Sequence, residues 1–425
     1  MNAVIQQVYK YKVSAIKLKN SFLSLGILIL LEVVFSQIIL PNFSFPQDVK
    51  ASINFFFLYA LGVGYILFIL LIPTSDFTYA ILNCMLILLL FPAIIVSNYM
   101  ESDWRILFSH SLYFLSVYFF CTFIPIRIRM PNILEGQRLT ILFIIAALAI
   151  VPFVIIFTPH INLNNFLLID IYSTREIEEG LSNTYTRYVY SWLAKIIIPI
   201  VLIYSLIKKD HFKSWMAVAA LLFLFLAGGH KGVFLGVFVV IAFRKGDYRQ
   251  KVNILFIGII GLTFLSLILF YTIGDYSIPN IIHRRVFFIP AILDVEYFNF
   301  FQNNPLFWGH SFLGAFFHYP YNMPPQNIIG EIVFLDKDVF ANNGIISDGF
   351  INLGMAGVVL NILIISICFS FLSRLLISTQ FFGVIFLFFY SLVSSFLPVV
   401  LLTHGGLLLL FIGQFFLKDT SLQND

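Results

Sequence analysis

The chain has 425 residues, 60% hydrophobic and only 11% charged, with 51 Phe and a net charge of +4, and its mean hydropathy is +0.96. Soluble chains carry about 25% charged residues, so this composition excludes a soluble enzyme, a disordered protein and a nucleic-acid binder. The small positive balance points to no polyanionic partner, and its placement is informative as membrane topology instead.

A membrane-crossing helix needs about 20 mostly apolar residues, and in chain order that rule marks spans near 22–40, 52–72, 79–97, 106–126, 138–157, 188–207, 252–274 and 351–372. The first follows Lys10, Lys12, Lys17 and Lys19. It is longer than a signal-peptide core of about 7–15 residues and lacks a small-residue cleavage pattern, so it reads as a retained span. Residues 214–243 lie between Lys208, Lys209 and Lys213 on one side and Arg244, Lys245, Arg249 and Lys251 on the other. Both ends should therefore face the cytoplasm, which predicts two short helices meeting at Gly228-Gly229-His230-Lys231-Gly232. Residues 380–417 divide likewise around Pro398 to Gly406. The expectation is an all-α, polytopic integral membrane protein with about 12 transmembrane helices, a single transmembrane domain over 1–425, and both termini cytoplasmic. Of the 25 Lys and Arg, 16 fall on the inner side of this layout. The other nine are Lys50, Arg105, Arg175, Arg187, Lys195, Lys231, Arg284, Arg285 and Lys337. Cys84, Cys121 and Cys368 sit in apolar runs with no paired spacing and no nearby His cluster, so neither a disulfide framework nor a metal site is indicated.

Two outer segments stand out, 158–187 and 275–345. Loops beyond about 12–15 residues are usually functional or disordered, and these are rich in Phe, Tyr and Ile, which disordered segments lack. Short amphipathic helices lying on the outer membrane face are expected. No internal repeat is visible, which weakens a transporter built from two halves.

Ionisable groups at membrane depth cost about 2.5–3.5 kcal/mol each, so Glu32, Lys195, Lys231, His110, His230 and His404 stand out. His230 and Lys231 lie in the glycine-flanked break, where free backbone amides and a cation can hold a phosphate oxygen; the alternative is a tight hairpin turn with a snorkelling lysine. The first outer loop contains Arg175 and Arg187 against Asp170, Glu176, Glu178 and Glu179, and the second is also net acidic around Arg284, Arg285 and Lys337. An anionic ligand would thus need individual arginines in fork geometry, as a phosphate or diphosphate does. Asn342, Asn343, His310, Tyr319 and the run Tyr297-Phe298-Asn299-Phe300-Phe301 resemble a sugar-binding surface, although an interfacial aromatic belt has the same composition. For a general base, Asp348 is favoured over Glu296, because it precedes a spanning helix between Gly344 and Gly349; a helix-capping role is the alternative.

Several of these segments together resemble the O-antigen polymerases, the Wzy-type oligosaccharide repeat unit polymerases. The resemblance lies in Tyr172-Ser-Thr-Arg175 leading to Gly180, Trp192 and Pro199; in Gly229-His230-Lys231; in Arg285-Val-Phe-Phe-Ile-Pro290; and in Asn342-Asn343-Gly344, Asp348-Gly349-Phe350 and Gly354-Met-Ala-Gly357. It covers about residues 170–357, and the first 150 residues match in hydropathy alone. It implies a glycosyltransferase of the bacterial inner (cytoplasmic) membrane, active site facing the periplasm. Such an enzyme moves a growing glycan from undecaprenyl diphosphate onto another lipid-linked repeat unit. Asp348, Arg175 and Arg284 would be catalytic, and Arg187, His230, Lys231, Arg285, Glu296, His310, Tyr319, Asn342 and Asn343 would bind substrate. The resemblance implies no cofactor and no metal, because diphosphate is already a good leaving group. Partners would be the undecaprenyl-diphosphate-linked oligosaccharide, membrane lipids, a chain-length regulator and a flippase, with no nucleic acid. An O-antigen ligase or a lipid-linked oligosaccharide flippase remains as an alternative. The topology predicts that cysteines placed at Asn183 and Asn303 react with an impermeant thiol reagent from outside the intact cell, and reaction only after the inner face is opened would refute it.

Overall fold

A computed structural model describes residues 2–43, 55–124, 126, 133–167, 171–375 and 377–418. Lys50, Arg127, Arg129, Asp170 and the start of the span expected at 52–72 lie outside these residues. Among the described residues the chain is helical, with one isolated bridge, Ile377 to Lys418, and no strand. Among these residues eight helices are long and apolar enough to cross a membrane: Ser14–Asn42, Asp76–Tyr99, Trp104–Phe123, Glu135–His160, Thr184–Lys208, His211–Gly228, Tyr248–Ile273 and Ile345–Arg374. This is a multi-pass membrane protein. Four shorter apolar helices, Phe56–Leu71, Lys231–Ala242, Thr379–Ser394 and Gly406–Leu417, occupy the other apolar segments. All three cysteines are buried and free.

The chain forms two compact units. The first comprises Met1–Pro125, Asp247–Ser370 and Val393–Phe396. Its most enclosed helix is Asp76–Tyr99, apolar all round as a helix surrounded by protein must be. The Ser75 side chain caps its start, accepting from the Thr78 amide at 3.2 Å. Asp76, in its first turn, pairs with Arg249 at 2.6 Å. In the segment expected as an outer loop, Ile289–Phe301 does not lie on a surface: every residue from Pro290 to Phe298 is buried. Nor does the aromatic run form an open sugar platform. Tyr297, Phe301, Leu306 and Ile329 make a hydrophobic core against which Tyr319, Tyr321 and Met323 pack. The rings are buried here because fully burying a Phe side chain is worth about 1.5–3 kcal/mol relative to leaving it exposed to water.

Ile345–Arg374 is not one continuous helix. Leu353 and Gly354 have non-helical torsions, Gly354 at φ 60° and ψ −145°, a region open essentially to glycine. The two halves fold back on one another. A Cβ on Gly349 would stand 2.6 Å from the backbone of Gly357 and Val358. Asn361 donates to the Ile345 carbonyl at 2.9 Å and to Asp348 at 3.1 Å. A short re-entrant helix, 345–352, is thus clasped against 355–374, which retains the length for a crossing. Asp348 therefore does not cap the spanning helix, as expected from sequence; it lies within the short arm.

The second unit comprises Ile126–Gly246, Phe371–Leu392 and Leu397–Asp425. His211–Gly228 begins at Asp210, whose carboxylate accepts from the Lys213 amide at 3.1 Å, and stops at Gly229 in the left-handed conformation, φ 60°. Lys231–Ala242 follows directly. The break thus falls at the glycines where the basic flanks predicted it.

Gly349→Leu should lower thermal stability in detergent by at least the ~1–3 kcal/mol of an overpacked site, because its new atoms meet backbone. Gly258→Ala is the control: no atom lies within 4 Å of the added Cβ, so a helical alanine should be neutral or slightly stabilising. Equal melting temperatures for Gly349→Leu and wild type would refute the clasped hairpin.

Candidate functional sites

In the second unit, the break at Gly228–Lys231 is held by residues of the segment expected as the first outer loop. The helix ending at Gly228 has carbonyls with no helical partner; the segment supplies Asn165 to Leu226 at 3.4 Å and the Arg175 Nε to Gly229 at 3.3 Å, and Tyr190, just beyond it in the expected span, donates to Leu224 at 2.9 Å. Fit is close. A Cβ on Gly228 would strike the Tyr190 hydroxyl at 2.6 Å, and one on Gly229 the Ile171 carbonyl oxygen at 2.9 Å. His230 stands at the cap position of Lys231–Ala242, and its side chain makes no capping bond.

Cationic groups lie within electrostatic reach of His230. Burial, with Arg175 and Lys195 in electrostatic reach, pushes His230 down to about 4. Burial, Lys195 and His230 push His404 down to about 3. At neutral pH both imidazoles are therefore uncharged and positive charge comes from the arginine and lysines. His404 reaches the cluster because its segment packs on the turn carrying Lys195. The Trp192 indole donates to Leu402 at 2.7 Å, and a Cβ on Gly405 would lie 3.1 Å from Ile196. The His230 ring meets Tyr190 edge-on at 5.2 Å. Glu178 lies one helical turn beyond Arg175 on Ile171–Leu181. Burial raises its carboxyl above the usual range, a bond from Ser182 at 2.7 Å opposing the shift. Glu176, Glu179 and Arg187 are exposed, Lys231 is partly buried, and the side chain of Tyr172 lies outside the described residues.

The first unit holds a different cluster. Asp294 accepts from Asn343 at 2.9 Å and from Ser347 at 2.5 Å on one oxygen, and its other oxygen meets the His110 Nε2 at 3.0 Å. Asp348 is 1% exposed, with Asn352 on one oxygen at 3.0 Å and Asn361 on the other at 3.1 Å. Tyr297 lies between these two: burial, then Asp348, Tyr319 and Asp294, raise its hydroxyl well above the usual range. An enclosed carboxylate held by two amides is a poor general base, because no acceptor hydroxyl can approach it within hydrogen-bond reach. In this structure the Asp348 carboxylate clasps the hairpin through Asn352 and Asn361.

The remaining sequence candidates scatter within that unit. Arg284 donates to Asn280 at 3.2 Å, and its guanidinium stands 4.5 Å over the Phe43 ring; burial, then Arg285, lowers its pKa. Arg285 and Asn342 are exposed, and Glu296 is buried. Tyr319 donates to the Met323 carbonyl at 2.6 Å, and the His310 ring faces Tyr319 at 5.9 Å. Sequence reasoning passed over Asp294, Glu178, Lys195 and His404 as site members. For Lys195 and His404 there was a signal, a lone ionisable residue in an apolar run. Compared with known families, characterised proteins and solved structures, the chain matches none.

His230 is neutral at pH 7 and gains charge only as pH falls from the ordinary 6.5 towards about 4. An anion beside it favours the protonated form, so inorganic pyrophosphate should bind progressively more tightly over that window, and His230→Gln should flatten the rise. Calorimetry on reconstituted protein checks this; affinity equally steep in wild type and His230→Gln would remove His230 from the site.

Proposed function

We propose that the protein is a glycosyltransferase that polymerises undecaprenyl-diphosphate-linked oligosaccharide repeat units into O-antigen or a similar surface polysaccharide, at the outer face of the bacterial inner membrane. The observation that carries this reading is the cationic cluster at a helix start that has no side-chain cap, Arg175, Lys195, His230 and Lys231, in a unit built of membrane-crossing helices. Amides at a helix start and cations suit a diphosphate whose prenyl tail stays in lipid. Eight helices long and apolar enough to cross a membrane, with four shorter apolar helices beside them, support the polytopic body that this reading needs.

In this reading the cluster holds the donor diphosphate and stabilises the charge that develops on it as the glycosidic bond breaks. The acceptor hydroxyl loses its proton as its oxygen attacks the donor sugar, and Glu178 takes that proton. Its partly buried, raised carboxyl beside Arg175 fits a base tuned towards neutral pH. It replaces Asp348 in that role. Arg284, Arg285, Glu296, His310, Tyr319, Asn342 and Asn343 receive no catalytic role.

Purified protein given a lipid-linked repeat unit alone should make a ladder of products; a ligase needs a second acceptor lipid, and a flippase makes no product. Arg175→Ala should lower the rate roughly ten- to a hundred-fold, the equivalent of a charged hydrogen bond of about 1.5–3 kcal/mol. Arg175→Lys should fall nearly as far. Glu178→Gln should bind donor normally and lose turnover. A ladder from Glu178→Gln at the wild-type rate would reject the base, and absence of any ladder from well-folded wild type would reject the polymerase.

A further inference from the structure

The first unit contains an open cleft of about 230 Å³ at the tip of the re-entrant hairpin, lined by Arg105, Gln302, Phe307, Phe350, Gly354 and Met355 among others. Its walls are fixed. Leu306 donates to the Ile351 carbonyl at 2.8 Å, Phe307 to the Asn352 carbonyl at 3.1 Å, and the Trp308 amide to the Asn352 side chain at 2.7 Å. Those bonds hold Phe307 and Trp308 in left-handed conformations, φ 48° and 55°, which bulky residues adopt only when their surroundings impose it. The opposite wall is Phe350, stacked on Phe298 at 3.7 Å and 9°.

Arg105 is the polar feature of the cleft. Its Nε and Nη2 both bond Asp103, at 2.8 and 2.5 Å, and its guanidinium lies 5.2 Å over the Phe350 ring. Asp103 neutralises the charge and takes one edge, and among the described residues no partner engages Nη1. Gln302 is exposed and presents a free amide. Drug-sized ligands occupy about 300–1,000 Å³, so this cleft admits a single ring. A neutralised guanidinium, one amide and aromatic faces suit hydroxyl groups around an apolar ring face and offer little to a phosphate.

We propose that this cleft binds one neutral, hydroxylated sugar ring, and that in the polymerase reading, on which this assignment of its role rests, the ring is the terminal sugar of the acceptor. Arg105 Nη1 and Gln302 engage its hydroxyls, and the exposed Phe307 ring flanks it. The test uses full-length protein in lipid nanodiscs, titrated with a panel of neutral methyl glycosides, methyl glucuronide and inorganic phosphate, and read by intrinsic tryptophan fluorescence. Trp308 adjoins the cleft. At least one neutral glycoside should give a saturable change that Gln302→Ala and Arg105→Lys each weaken about tenfold or more. In the ladder assay Gln302→Ala should raise KM for the lipid-linked acceptor by a similar factor. Saturation by phosphate or glucuronide alone, by no glycoside, or equally in Gln302→Ala overturns the proposal. Glycoside binding lost in Gln302→Ala, in a protein that builds no ladder, supports the cleft while rejecting the polymerase reading.

Discussion

A helix that breaks inside an apolar surrounding leaves carbonyls on one side and amides on the other, and each must find a partner or pay several kcal/mol. Both candidate sites follow from that demand. At Gly229 the carbonyls of the ending helix take donors from Tyr190, Asn165 and Arg175. At Leu353 the carbonyls of Ile351 and Asn352 take the amides of Leu306 and Phe307. In each case the need for donors fixes where a long connecting segment lies, and so fixes the side chains it carries. Arg175 and Phe307 are placed by the backbone bonds of a broken helix.

The enclosed carboxylates obey the same accounting with charge added. Asp294 and Asp348 each receive hydrogen bonds on both oxygens, which makes such groups tolerable in a low-dielectric interior and makes removal of one partner costly. Their cluster joins the helices Trp104–Phe123 and Ile289–Phe301 to the re-entrant arm. It is rigid scaffolding for the cleft at the arm's tip. The cluster of the second unit is its opposite, gathering Arg175 and Lys195 about His230, and in the proposed reading that charge is what receives the donor's diphosphate.

Much of the architecture was legible in the sequence because apolar runs of membrane length have few other uses. The break at Gly229 was legible too, through the basic residues flanking 214–243. The break at Gly354 was not: one glycine among Leu, Met, Ala and Val looks like any glycine of a spanning helix, and what decides it is Asn361 reaching back over 13 residues to Asp348. The clasping of the hairpin by Asp348 was hidden for the same reason, since a carboxylate ahead of an apolar run suits a base or a cap and nothing local announces Asn361. The aromatic run around Tyr297 was misread because an aromatic belt, a sugar platform and a hydrophobic core share one composition, and only packing separates them. Lys195 and His404 lie some two hundred residues apart, and no local pattern joins them.

Phe307 and Trp308 have one more consequence. Two bulky residues in left-handed conformation cost of the order of 1–3 kcal/mol each, and glycine or asparagine would relieve much of that. Selection for thermal tolerance alone would drift towards those residues here, gaining a sturdier protein and dissolving the wall of the cleft. The strained backbone of this aromatic pair is thus a place where the shape of the cleft and the stability of the fold pull in opposite directions.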